Sequence, residues 1–511
     1  MKAHLLYQEE DFDLEREPDE QDVTQDLELD VLFDAMAGDD DPVLSDIVRR
    51  VVLCGRSTPS EIRYRQEVLA DCLREPDTVR GLYAVAADAM TQERHIYPNF
   101  FKSPDTTLSR AVNVLELFVQ ELKRLRAIAD DRAGGFRSSG FTRLFAMLAT
   151  ELDDAYFQRV EDHIGELRFR RGTLISARLG IGNKGTEYVL RRPREQSWLQ
   201  QVSGGRSGYG FHIAERDESG AKALSDLRGR GIDLVANALA QSTDHILSFF
   251  RMLRCELAFY IGCLNLHERL ERKGEPVCFP DPAPRGEPAL RARGLYDVCL
   301  SLRTDSRAVG NDLDADGKQL IMITGANQGG KSTLLRGIGL AQLMMQCGMF
   351  VAARSFRADV RDGVFAHYKR EEDASMTHGK LDEELLRMSA VADRISAGGM
   401  LLCNESFAST NEREGSEIAR QIVHALLESG VKVVFVTHLF DLAHGLHEEG
   451  SEAALFLRAE RTDDGRRTFR LAPGEPLPTS YGEDLYRRTF GGQSAEPSAA
   501  AVSPAEADDR P

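Results

Sequence analysis

Leu320-Ile-Met-Ile-Thr324, Gly325-Ala-Asn-Gln-Gly-Gly-Lys-Ser332 and the run from Thr333 through Leu334, Ile338, Ala341 and Met345 together decide the fold. The first piece is a short apolar run that ends at a glycine and reads as a buried strand. The second matches G-x-x-x-x-G-K-[ST] in full. The third repeats apolar residues at helical spacing. Strand, loop and helix in that order are the context a phosphate-cradling loop needs. Its glycines let the backbone wrap closely around an anion with N–H groups pointing inward, and the helix N-terminus adds a partial positive charge. Gly325, Ala326, Asn327, Gln328, Gly329, Gly330, Lys331, Ser332 and Thr333 are therefore the expected cradle for ATP. Lys331 is expected on the β and γ phosphates and the Ser332 hydroxyl on Mg²⁺.

Working outward, two more apolar runs end in polar residues. Met400-Leu-Leu-Cys403 is followed by Asn404-Glu405, and Val431-Lys-Val-Val-Phe-Val436 by Thr437-His438. In an α/β sheet such strand ends gather at the nucleotide. Glu405 suits the polarisation of an attacking water, and His438 suits sensing of the γ-phosphate. Asn404 stands where a carboxylate commonly holds the Mg²⁺ shell and is expected to act through water. A lone His at a strand end is also compatible with a purely structural role.

The rest of the chain divides by pattern. Residues 1–24 are acidic and without period, and read as a disordered arm. Residues 25–165 and 216–290 repeat apolar positions at helical spacing, as in Leu44, Ile47, Val48, Val51 and Val52, or Ile246, Phe249, Phe250, Leu253, Leu257, Tyr260 and Leu264. They read as a helical domain, ended by the Pro-rich stretch 276–288. Residues 166–215 hold short β-prone runs punctuated by glycines, including Tyr209-Gly-Phe-His-Ile213, and read as a small inserted β subdomain. Residues 295–490 alternate strands and helices, which argues for a mostly parallel α/β sheet. Residues 491–511 are an Ala/Pro/Ser tail. The fold class is a multidomain combination of a helical domain and an α/β domain.

At 511 residues and 42% hydrophobic, the chain can build several cores. Its eight cysteines are scattered, with no Cys-x-x-Cys pair, which argues against a disulfide scaffold or a zinc site. Neither a signal peptide nor a membrane-length apolar run is present, so a soluble, cytoplasmic protein is expected. The net charge of −18 comes from the ends. Residues 1–46 hold 17 Asp and Glu against Lys2 and Arg16, and residues 491–511 hold four against Arg510. The body is near neutral, and residues 166–206 carry nine Arg and Lys against three Glu. A basic patch on a neutral body is compatible with DNA, as it is with an ordinary solvated surface.

Six blocks, in order, resemble the MutS family: Val309-Gly-Asn-Asp312, the loop Thr324–Thr333 with Asn327 and paired glycines, Gly348-Met-Phe-Val-Ala-Ala353, Asn404–Gly415, Thr437-His438 and Ser480-Tyr-Gly482. The resemblance is strong over residues 305–490 and architectural over 25–290. It implies a helical core and lever carrying a β clamp, followed by an ATPase domain that dimerises to gate the clamp around duplex or branched DNA, close to the nucleoid. It places Asn311 near the nucleotide base and Arg170, Arg171, Lys184, Arg191, Arg192 and Arg194 on the DNA backbone, with Arg168 and Arg178 close by. It aligns Thr377–Leu385 with a partner-facing signature, so Gly379 and Glu384 are expected at a homodimer interface, with Gly379 in place of the family serine. The family's mismatch-reading wedge, Phe-x-Glu, does not occur in the sequence. The implied function is an ATP-dependent DNA-binding protein of repair or recombination with an ATPase that Asn404 slows. The alternative is an ATP-binding assembly module with weak hydrolysis and no DNA. A P-loop small-molecule kinase fits the six blocks less well.

Overall fold

In a computed structural model, residues 1–10, 21–38, 41–96, 103–170, 172–192, 212–370, 379–462 and 467–478 are described. The chain divides into two compact units, one of Met1–Asp19, Val31–Arg272 and Gln346–Met349, the other of Glu20–Asp30, Lys273–Met345 and Phe350–Pro511.

The first unit is helical, and its helices begin where local chemistry dictates. Pro42, Pro59, Pro76 and Pro104 each open a helix, at a position whose N–H has no intrahelical partner. Asp41, Thr58 and Ser103 cap three of these by accepting N–H groups of the first turn. The long helix Glu218–Arg272 has 55 residues, about 80 Å at the usual rise. Its second half is buried against helix Pro104–Arg132, with the Phe118 and Phe250 rings 5.5 Å apart. The approach of helix Pro42–Leu53 is close at Gly262, where a Cβ would lie 2.7 Å from Val48 Cγ2.

The expected disordered arm over 1–24 needs correction at both ends. Leu5 and Leu6 are buried, the buried Glu256 carboxylate accepts the N–H of each, and the Tyr260 hydroxyl donates to Leu5 O at 2.7 Å. Residues Gln21–Asp26 form a helix of the second unit. There Asp26 Oδ2 accepts the Tyr368 N–H at 3.1 Å and Asp22 pairs with Arg370. Burial raises the Asp26 carboxyl above its ordinary pKa, opposed by Arg387 and Arg370. One of the acids behind that reading, Asp22, is thus paired with a specific arginine. Residues 11–20 lie outside the described residues.

Within the inserted region, helix Asp154–Leu167 runs past the expected start at 166. Strand β1 (Leu174–Leu179) then pairs antiparallel with β2 (Gly185–Arg191) in a two-stranded hairpin. His212 and Ile213, expected in a third strand, are not in one; residues 193–211 are outside the described set.

The second unit holds two sheets. The strands are β3 (Asp281–Ala283), β4 (Leu290–Leu295), β5 (Asn311–Asp314), β6 (Leu320–Thr324), β7 (Ser355–Asp359), β8 (Val364–Tyr368), β9 (Met400–Asn404), β10 (Lys432–Val436), β11 (Ala454–Arg461) and β12 (Arg467–Pro473). A six-stranded sheet has the order β12-β11-β6-β10-β9-β8, parallel except for β12. A four-stranded mixed sheet, β3-β7-β4-β5, was not expected. Its first strand lies in the Pro-rich stretch read as a boundary, and Pro282 is tolerated because β3 is an edge strand. The helical domain expected to reach 290 therefore stops near 272.

Candidate functional site

Strand β6 is fully buried, lying between β11 and β10, and it delivers the glycine loop at its carboxyl end. Gly325 and Gly330 have φ of 111° and 92°, in the region that side chains resist. A Cβ on Gly329 would lie 2.7 Å from Ala459 Cβ, and one on Gly330 would lie 3.1 Å from Phe469 O. Gln328 also has positive φ, and its side-chain oxygen accepts a hydrogen bond from Arg467 of β12. Helix Lys331–Gln346 starts directly after the loop. Leu334, Ile338, Ala341 and Met345 are all buried beneath it.

Register brings three strand ends together. Val436 of β10 pairs with Ile323 on one side and with Asn404 on the other. The Thr437 N–H donates to Ile323 O at 3.1 Å, and the Glu405 N–H to Val436 O at 2.9 Å. Ser332 Oγ then donates to Asn404 Oδ1 at 2.8 Å. Lys331 Nζ donates to Gly325 O at 2.9 Å, to Ala326 O at 3.3 Å and to Asn327 Oδ1 at 3.5 Å. Burial lowers the Lys331 pKa, and the nearby Glu405 charge works against that.

Glu405 has φ of 55° and accepts from both the backbone N–H and Nδ1 of His438, the latter at 2.5 Å. The hydrogen bond to Glu405 raises the His438 pKa, with desolvation in opposition. A carboxylate and a half-exposed imidazole thus face the loop mouth as a pair.

Mg²⁺ fits this donor set only in company. Ser332 offers one hydroxyl and Asn404 one neutral carboxamide, and no group of three or more His, Cys, Asp or Glu suited to a metal occurs among the described residues. Magnesium keeps its waters and is usually held by one or two protein groups plus phosphates, so a site of this kind suits the ion arriving with a nucleotide.

Two expected site residues are held by hydrogen bonds within the chain. Asn311, expected beside the base, is buried; its Oδ1 accepts the Leu471 N–H at 2.8 Å and its Nδ2 donates to Phe469 O at 3.3 Å. It fastens β12 over the glycine loop. Glu384, expected to face a partner, is buried in its own chain, accepting the Phe407 N–H and the Ser409 hydroxyl at 2.7 Å each. It holds the loop that follows Glu405. Gly379 is the N-cap of helix Lys380–Arg394, without a side-chain cap. Residues 371–378, including Thr377, and Ser480-Tyr-Gly482 are outside the described residues.

His367 of β8 was not anticipated. Its Nε2 lies 3.0 Å from Glu384 O and its Nδ1 2.8 Å from Ser406 Oγ. Burial and Arg387 lower its pKa to about 4. Glu384 O can only accept, so the neutral ring carries its proton on Nε2, and Nδ1 lies beside a Ser406 hydroxyl that donates to His367 O at 2.7 Å. A single His inside an apolar strand offers no pattern to read.

Of the basic residues, Lys184 sits between the hairpin strands, Arg191 Nε donates to Ser176 Oγ at 2.9 Å and Arg192 pairs with Glu166. Arg170 follows helix Asp154–Leu167. Arg171 and Arg194 lie outside the described residues. No described helix is long and apolar enough to cross a membrane.

A glycine loop between a central parallel strand and a helix, faced by two further strand ends, defines a P-loop α/β protein. Comparison with known families specifies it further. The MutS2 N-terminal domain matches residues 57–273 and MutS domain V matches residues 321–484. The chain belongs to the MutS family. A DNA mismatch repair protein MutS of Chloroflexus aurantiacus is 27% identical over 260 residues, covering 49% of this chain and 26% of that protein. An Endonuclease MutS2 of Thermus thermophilus is 33% identical over 184 residues, 35% of this chain and 24% of its own length. The Endonuclease MutS2 of Thermomicrobium roseum is 31% identical over 225 residues, 42% and 27%. The chain spans about a quarter of the length of these relatives.

Proposed function

We propose that the chain binds and hydrolyses ATP and couples this to holding DNA, duplex or branched, with a homodimer formed through the α/β unit and the β hairpin acting as part of a clamp. The observation that carries the ATPase reading is the convergence of Lys331, Ser332, Asn404, Glu405 and His438 at the ends of three neighbouring strands.

In this reading the loop N–H groups and Lys331 bind the phosphates, and Ser332, with Asn404 through water, would hold Mg²⁺. Bound there, the ion supplies charge neutralisation of the β and γ phosphates. Glu405 orients a water and takes its proton as the water oxygen bonds to the γ-phosphorus; the bond to the bridging oxygen breaks, giving ADP and phosphate. His438, its pKa raised by Glu405, holds a proton close to the developing charge. Asn404 lacks one negative charge, which predicts slow turnover with nucleotide binding retained.

DNA contact rests on the basic hairpin region and on family membership. Phosphate contacts from Arg170, Lys184, Arg191 and Arg192 give affinity without sequence preference. The test is nucleotide hydrolysis by the full chain with and without homoduplex, mismatched and junction DNA, beside gel-shift binding at low salt. Lys331→Ala is expected to abolish nucleotide binding and Glu405→Ala to keep binding while stopping turnover. Nucleotide binding without any DNA binding would favour the assembly-module reading, to which Asn404 also points.

A further inference from the structure

The hairpin carries an apolar tip that no part of the nucleotide mechanism uses. Between β1 and β2 the chain turns through Gly180-Ile181-Gly182-Asn183-Lys184, closed by a hydrogen bond from Gly180 N–H to Lys184 O at 2.8 Å. Gly182 takes φ of 68°, and a Cβ on Gly180 would meet Thr186 Cγ2 at 2.7 Å, so the turn is built around its glycines. Ile181 at its apex is 99% exposed and Leu179 beside it 79% exposed. A solvated tip ordinarily carries polar residues, and an apolar one signals a partner.

The surroundings indicate which partner. Arg178 and Lys184 flank the tip, and residues 168–192 hold seven Arg and Lys against one acid, Glu187. Arg178 pairs with Glu187 at 3.0 Å, both largely exposed, a contact that costs little to exchange. Glycines stand on either side of the isoleucine. One slim aliphatic side chain framed by cations is the arrangement with which proteins enter the minor groove and part a base step, the cations meeting the phosphates. An apolar protein groove would have no need of the cationic frame. Six strand residues at about 3.3 Å each carry the apex roughly 20 Å from the strand origins, while the long helix packs lower on the hairpin, with Arg230 over the Tyr188 ring.

We propose that Ile181, backed by Leu179, is a wedge that inserts between base pairs of duplex DNA from the minor groove, while Arg178 and Lys184 contact the flanking phosphates. The inference rests on the DNA-binding reading above and adds to it a site that senses how easily a base step opens. Steps that unstack readily, at mismatches or at TA, would be preferred without any Phe-x-Glu element.

The experiment uses the full chain, Ile181→Ser and Arg178→Ala/Lys184→Ala on duplexes carrying 2-aminopurine at a TA step, at a mismatch and in a G·C-rich run, with donor and acceptor dyes at the ends. Binding of the unaltered chain is expected to raise 2-aminopurine fluorescence and shorten the end-to-end distance. Ile181→Ser is expected to lose both responses and about tenfold of the preference for the mismatch, while its affinity for the G·C-rich duplex and its salt dependence stay within about twofold. The double variant is expected to weaken binding to all three duplexes alike. Ile181 is fully solvated, so its replacement leaves packing intact. Binding without a fluorescence rise, or an undiminished rise in Ile181→Ser, overturns the wedge and leaves DNA binding standing. Absence of any DNA binding at low salt overturns the DNA reading itself. Ile181-dependent binding to anionic vesicles in place of DNA overturns the wedge in favour of a lipid surface.

Discussion

Single residues here act through what they hold. Glu384 saturates the Phe407 N–H and the Ser409 hydroxyl from a buried position, so Glu384→Ala leaves an amide without a partner. A loss of about 2–4 kcal/mol in chemical denaturation is expected, with turnover falling further than nucleotide affinity because the loop beside Glu405 loosens. Asn404→Asp keeps an oxygen to accept from Ser332 and adds the missing charge; a faster steady-state rate is expected, and an unchanged or lower rate would show that this charge does not limit turnover. The His438 pKa lies above its ordinary value because of Glu405, so the pair's stabilisation is complete below about 6.5 and fades as pH rises through the raised value. An NMR titration should show the His438 midpoint drop in Glu405→Gln. His367 has the opposite sign. Held neutral with a pKa of about 4, it takes up a proton on unfolding anywhere between about 4 and 6.5, so stability falls as pH drops through that window, by up to about 3 kcal/mol. His367→Gln should flatten the acid limb of a plot of Tm against pH even if its neutral Tm is lower. Lys331, Ser332, Glu405 and His438 were legible as candidates because motif and strand end coincide. Nothing in the sequence pointed to His367, nor to the hydrogen bonds that hold Asn311 and Glu384 within the chain, because those partners lie far along it.

Elements were legible wherever local chemistry starts them. Pro42, Pro59, Pro76 and Pro104 open helices, and the apolar runs at 320, 400 and 431 became β6, β9 and β10 with little change. Short strands of the mixed sheet were not legible, since the alternation of β4 and β5 runs over only six and four residues, too few to set them apart. Helix packing is set partly by glycine. With Val48 Cγ2 2.7 Å from a Cβ at Gly262, Gly262→Val should cost about 1–3 kcal/mol by overpacking, despite the better helix propensity of the replacement. A thermal melt in which this variant gains stability would remove the close contact from the account.

For the whole molecule, two units with separate cores predict two unfolding transitions in calorimetry. A ligand that binds only the folded P-loop unit should raise that unit's transition, by about 2.7 kcal/mol at a hundredfold excess over its Kd. ATP that moves both transitions equally would show that the two units unfold as one. The net charge of −18 is also a whole-chain quantity that misleads until resolved. Part of its N-terminal share is spent on Arg370, Arg387 and Arg336 inside the α/β unit, through Asp22, Asp26 and Glu28.

By itself the sequence determined the phosphate-binding loop, its strand and helix, the polar strand ends and the family, because each depends on residues adjacent in the chain and on the periods of helix and strand. Only the tertiary structure decided which carboxylates stand at the mouth of the glycine loop and which hold other loops. It also revealed that Leu5 and Leu6 are buried and that Gln21–Asp26 form a helix, and that one isoleucine stands fully in solvent at a basic tip. Those outcomes depend on which distant groups meet and how much water each keeps, and no local pattern encodes either.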